Sequence, residues 1–153
     1  MHPLVRLYLK TAFAFLALGL LTGLWIEGQL VFGGRWLSHG MVVAHVHLLL
    51  VGFLLLLILG VALWMFPRLA RGQPVGPNPR LVAVGYALLA VGTVGRAATE
   101  FFDLWLTAPG WRYARFAGAA LQVAGIALGI AMLWRRVRGT AQLKPDGTVS
   151  LTG

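Results

Sequence analysis

Four side chains between His39 and His47 have the chemistry of metal ligands: the imidazoles of His39, His45 and His47 and the thioether of Met41. Neutral imidazole ligates iron, copper or zinc, and a thioether beside it suits Cu(I). His45 and His47 are two positions apart. On a helix turning about 100° per residue they point about 200° apart, so they face different neighbours. That spacing disfavours one ion held by both within a single chain. His45 shares a helix face with Met41 before it and Gly52 after it. A glycine near a histidine leaves room for something large and flat, such as a porphyrin, or for another helix.

Further along stand Arg96, Glu100, Asp103 and Gln122. Arg96 either is neutralised by Glu100, its i+4 neighbour, or binds an anionic group such as a cofactor carboxylate. Gln122 reads as a hydrogen-bonding tie between helices. There is no cysteine, which excludes a disulfide framework, a thiolate metal site and a cysteine nucleophile. No Ser/His/Asp set, phosphate loop or paired carboxylate suggests independent catalysis, so no enzyme activity is expected of the chain alone.

The elements that must position these residues follow from composition. Of the 153 residues, 59% are hydrophobic and 11% charged, whereas a soluble domain carries about a quarter charged residues. The polar surface for a water-soluble fold is missing, and lipid is the expected solvent. The net charge of +9 does not point to nucleic acid, because most of the Lys and Arg residues fall in the breaks between apolar runs and form no basic stripe.

Four apolar runs approach or reach the roughly 20 residues that span a bilayer. The first, Leu4 to Ile26, is broken by Arg6 and Lys10, whose stems can snorkel to the interface. No small-x-small site follows it, so a retained helix is expected rather than a cleaved signal peptide. The second, Met41 to Phe66, has no formal charge and ends at Pro67 and Arg68. The third runs from Leu81 to Phe102, and the fourth from Phe116 to Trp134, before Arg135, Arg136 and Arg138. The expected fold is all-α: an integral-membrane four-helix bundle over residues 1–138, with helices near 4–26, 39–66, 81–103 and 115–136, and a flexible cytoplasmic tail, 139–153.

With both termini inside, Arg6, Lys10, Arg68, Arg71, Arg80, Arg135, Arg136, Arg138 and Lys144 are cytoplasmic, against Arg35, Arg96, Arg112 and Arg115 outside. The positive-inside rule therefore places both ends in the cytoplasm. Trp25, Trp36, Trp105 and Trp111 then mark the outer interface, and Trp64 and Trp134 the inner one. At 1.5 Å per residue, His45, His47, Arg96 and Gln122 form one polar layer about 10 Å below the outer interface. Gly19 and Gly23 on the first helix, and Gly118, Gln122, Gly125 and Gly129 on the fourth, make small-residue stripes. Such stripes let backbones approach closely, within one chain or between copies.

The stretch Ala44 to Arg68, AHVHLLLVGFLLLLILGVALWMFPR, resembles the second transmembrane helix of subunit I of the heme-copper oxidases. The nearest branches are the nitric oxide reductases, the C-type oxidases and small four-helix bacterial relatives. The shared pattern is H-x-H, a glycine before an aromatic, a later glycine and a closing Pro-Arg, here His45-Val46-His47, Gly52-Phe53, Gly60 and Pro67-Arg68. Tyr8 to Trp25 is similar to the first helix of the small relatives. The resemblance implies that His45 matches an axial ligand of the low-spin heme. It also implies a bacterial-type cytoplasmic membrane and a respiratory or denitrification setting.

No histidine follows His47, and the later helices that carry the family's reducing centre have no counterpart, so that centre is not expected here. The expectation is a heme b protein acting in electron transfer or gas binding, with His45, His47, Arg96 and Gly52 around the cofactor. One alternative is a cofactor-free accessory subunit of a respiratory complex. The other is an outer-leaflet copper site from His39, Met41, His45 and His47. The expected partners are the bilayer and a second copy or a larger complex.

Overall fold

The computed structural model describes residues 3–33, 37–65, 78–105, 108 and 110–134, and the backbone of 142–143 and 149–150. It has four helices long and apolar enough to cross a membrane: α1 Pro3–Val31, α2 His39–Met65, α3 Pro79–Phe101 and α4 Trp111–Trp134. The chain is a multi-pass, all-helical membrane protein. Pro67 and Arg68 of the sequence pattern lie outside the described residues.

Local chemistry sets the helix ends. Helix α1 runs past the apolar stretch, through Glu27 and Gln29. It stops where the Phe32 N–H donates to the Gly28 carbonyl and Gly33 turns to a φ of 69°, a left-handed exit that glycine adopts without strain. Helix α2 starts at a Ser38 cap, whose hydroxyl accepts from the Met41 N–H at 3.2 Å. Its first part, His39–His47, is α-helical, and the next turns, Leu48–Leu55, widen to a π-helix. Helix α3 starts with Asn78 capping Arg80 and Pro79 in the first turn, where proline lacks only an N–H that would be unpaired anyway. Helix α4 begins before residue 115, because the Trp111 indole N–H donates to the Thr99 carbonyl at 3.0 Å and ties its first turn to the end of α3.

Glycines decide how the helices meet. Along α1 and α2, Gly23 lies against His45, Gly52 against Phe15 and Gly60 against Tyr8, an antiparallel register. Along α3 and α4, Gly92 lies against the Gln122 backbone, Gly118 against that of Arg96 and Gly125 against Leu89. A Cβ on Gly118 would stand 2.9 Å from the Arg96 nitrogen, so these backbones are nearly in contact. Gly40 brings the start of α2 onto the Glu100 carbonyl at the end of α3, and Gly129 receives Leu59 of α2. The small-residue stripes are thus consumed inside one chain.

At the end away from His39, the Tyr8 hydroxyl donates to the Val82 carbonyl at 3.1 Å, and the Thr11 and Tyr86 hydroxyls are 2.8 Å apart. These bonds join α1 to α3 beneath a core of Ala12, Phe15, Leu48, Leu56 and Leu89. The C-terminal segment differs from the aperiodic reading in one respect: Gln142–Leu143 and Val149–Ser150 pair as antiparallel strands.

Candidate functional site

His45 sits in a notch of α1. Its Nδ1 is 2.9 Å from the Gly19 carbonyl oxygen. A carbonyl only accepts, so Nδ1 carries the proton and donates, and in the neutral ring Nε2 keeps its lone pair. The ring fits because Gly23 has no side chain: a Cβ there would come within 2.7 Å of the His45 Cε1. Nε2 has no partner among the described residues and is not sealed inside the bundle. This is the arrangement that ligating histidines use, one nitrogen fixed on a carbonyl and the other presented to a metal.

His47 turns to the opposite side, as the α-helical pitch of this stretch requires. The charges that reach it are those of Arg96 and Glu100 on α3. Its Nδ1 is buried and unpartnered among the described residues. His39, the first residue of α2, is exposed, and Met41 is fully buried. Gly52 does not open onto empty space: a Cβ there would lie 2.7 Å from the Phe15 ring. The four possible ligands of the His39 to His47 stretch therefore take four different surroundings. Among the described residues, no three His, Asp or Glu side chains come together as a metal site.

Beside His47 lies an ion-pair chain. Arg96 Nη2 is 2.8 Å from Glu100 Oε1, and Arg115 Nε is 3.6 Å from the same oxygen. Arg115 also pairs with Asp103 through Nη2 and Oδ1. Two cations and two anions alternate along this chain, so the group is close to neutral. The Glu100 side chain is only 6% exposed, and burying it without a partner would be costly. Deeper in, the Gln122 amide donates to the Thr93 hydroxyl at 3.2 Å, and both residues are buried.

The sequence leaves Arg96 open between Glu100, its i+4 neighbour, and an anionic group, and reads Gln122 as a tie between helices; the structure pairs Arg96 with Glu100 and bonds Gln122 to Thr93. The sequence misses Arg115 and Thr93 as partners, because each reaches its partner across the α3–α4 interface. It also misses the Gly19 carbonyl, which carries no side-chain signal. Two shallow grooves run along α1, one lined by Leu21, Leu24, Trp25, Gly28, Gln29 and Phe32, the other by Arg6, Leu9, Lys10 and Phe13. Neither includes an imidazole.

A comparison with curated proteins and with solved structures finds no match. The family model described as Cytochrome C and Quinol oxidase polypeptide I matches residues 3–147. That match takes in all four helices and every side chain of the polar layer, and this chain belongs to the subunit I family of the heme-copper oxidases.

Proposed function

We propose that this chain binds a heme b through His45 and serves electron transfer or gas binding in a respiratory membrane complex. The observation that carries this is the Nδ1 bond of His45 to the Gly19 carbonyl, which fixes the ring and leaves Nε2 free. The family normally binds heme and copper. A bound heme b supplies one-electron exchange between ferrous and ferric iron.

The test of fit is whether this chain's residues can meet such a group. His45 can, from the surface of the bundle. The interior cannot take a porphyrin, because Phe15 covers Gly52 and the imidazole itself covers Gly23. His45 would hold such a group from the flank of α1 and α2. Arg96 is on the other side of α2, already paired with Glu100. We assign Arg96 to the ion-pair chain between α3 and α4 rather than to the cofactor. A copper ion shared by His45 and His47 would need both rings on one side of α2, and they face α1 and α3.

For orientation, the His39 end is the outer end. Arg96 and Arg115 stand there in ion pairs with Glu100 and Asp103, which lowers the positive charge of that side. The multi-pass chain then has its termini in the cytoplasm of a bacterial-type membrane.

The experiment is an absorption spectrum of protein purified in mild detergent, oxidised and reduced, for the wild type, His45→Ala and His47→Ala. A Soret band in the wild type and in His47→Ala that vanishes in His45→Ala supports the reading. A wild type that stays colourless with added hemin overturns it, as does a His45→Ala protein that keeps the band.

A further inference from the structure

We infer that the groove of Arg6, Leu9, Lys10 and Phe13 on α1 binds an acidic phospholipid, with the lipid phosphate on Arg6 and Lys10 and an acyl chain on Leu9 and Phe13. Such a site stands whether or not the chain holds a heme.

Positions 6, 9, 10 and 13 follow the i, i+3, i+4, i+7 spacing of one helix face, and their side chains line one groove. The two apolar members reach toward α2. Leu9 comes within 3.3 Å of where a Cβ on Gly60 would stand, and the Phe13 ring centroid is 6.3 Å from that of Phe53. Polarity is ordered along the groove. Arg6 and Lys10 are exposed near the start of α1, and Thr11 to Ile26 carry no charge. Charge is costly in hydrocarbon, so Lys10 marks the membrane edge. Phe13 lies seven residues beyond Arg6, or about 10 Å further in at 1.5 Å per residue. A phospholipid has the same order, with its charged group at the edge and its chains toward the middle.

The sign of the charge selects the headgroup. Arg6 and Lys10 are four apart on one face, where like charges repel and an anion between them relieves the repulsion. The acidic side chains of the chain are Glu27, Glu100, Asp103 and Asp146. Glu100 and Asp103 are held by Arg96 and Arg115 at the opposite end of the bundle. Glu27 follows Lys10 by 27 − 10 = 17 residues on the same helix, or about 26 Å along its axis. Asp146 has Arg135, Arg136, Arg138 and Lys144 nearer to it in sequence. The anion that matches this pair therefore comes from outside the chain. Basic pockets on membrane helices take acidic headgroups, and each cation near the surface contributes about 1 kcal/mol, or about 5-fold in affinity. A free phosphate would engage the cations alone. A lipid engages the cations and the apolar half together, at the depth where both lie.

The test is lipid titration of the full-length protein, delipidated in detergent and read by native mass spectrometry. The probes are phosphatidylglycerol, the zwitterionic phosphatidylethanolamine with the same chains, and inorganic phosphate. Phosphatidylglycerol should bind about 30-fold tighter than phosphatidylethanolamine, two cations at about 5-fold each. Arg6→Gln and Lys10→Gln should each lose about 5-fold of that preference, and the double variant nearly all of it. Phe13→Ala should weaken both lipids and keep their ratio. Arg112→Gln, an exposed cation at the start of α4, should bind as the wild type does. Arg6, Lys10 and Phe13 are exposed, so these variants should keep the helical circular dichroism of the wild type. Equal binding of the two lipids overturns the site, as does a double variant that keeps the preference. Phosphatidylglycerol displaced by an equal concentration of inorganic phosphate overturns a lipid as the occupant.

Discussion

Replacing Gly23 by alanine should weaken cofactor binding without unfolding the bundle. The new Cβ would stand 2.7 Å from the His45 Cε1, and ordinary contact begins near 3.4 Å, so the ring must retreat by about 3.4 − 2.7 = 0.7 Å. Added along the bond, that retreat stretches the 2.9 Å contact with the Gly19 carbonyl to about 2.9 + 0.7 = 3.6 Å. At that separation no hydrogen bond remains. The ring can swing about its own side-chain torsions, so the steric cost is small and the helices stay together. What is lost is the group that holds the tautomer and the aim of Nε2. Removing such an outer partner of a ligating histidine costs about 10- to 100-fold in affinity, or about 1.4–2.7 kcal/mol. Hemin titration followed at the Soret band measures it. Gly28→Ala, on the same helix with nothing within 4 Å of the added Cβ, is the control and should bind as the wild type does. Equal affinity in Gly23→Ala and Gly28→Ala would refute the reasoning.

Gly92→Ala should destabilise the α3–α4 pair by about 1–3 kcal/mol, because its Cβ would meet the Gln122 nitrogen at 2.8 Å and the Gly118 oxygen at 3.0 Å. Gly95→Ala meets nothing within 4 Å and should be neutral, and unfolding in mixed detergent with SDS compares the two. Glu100→Gln should cost about 2–4 kcal/mol, less than the 3–5 of a fully buried pair because both arginines are partly exposed. Adding Arg96→Gln should recover part of that loss, by helical circular dichroism on heating. Tyr8→Phe removes the donor to the Val82 carbonyl and should cost about 0.5–1.5 kcal/mol in the same assay.

Most of the architecture was legible because lipid writes it in large letters. Apolar runs of spanning length, with charged and Pro/Gly-rich breaks between them, are signals carried by the residues themselves. The facing of His45 and His47 was legible for the same reason: their stretch of α2 keeps α-helical pitch, so two positions mean opposite sides. What escaped was pairing across helices. Arg115 finds Glu100 on α3 and Asp103 just beyond its end, and no spacing rule within α4 announces it. Gly52 left room for a porphyrin or for another helix, and the structure brings Phe15 of α1 onto it. Gly19 and Gly23 looked like helix-packing residues, and they also shape the notch for the His45 ring. A small-residue stripe states that something comes close and not what comes. The widening of Leu48–Leu55 to a π-helix was likewise hidden, since a uniformly aliphatic stretch carries no periodic mark. Such widening recurs at functional sites, and here it directly follows the histidine pair.

The family match sets this chain among relatives of heme-copper oxidase subunit I, and the bundle fixes the His45 ring by Nδ1 on the Gly19 carbonyl. Several of its other polar residues are occupied with one another: Arg96 and Arg115 with Glu100 and Asp103, and Gln122 with Thr93. That division of labour makes the claim narrow. Hemin titration of detergent-purified apoprotein, read as a difference spectrum, addresses it most directly. The account predicts a saturable Soret band in the wild type and none in His45→Ala. A flat titration in the wild type would contradict it.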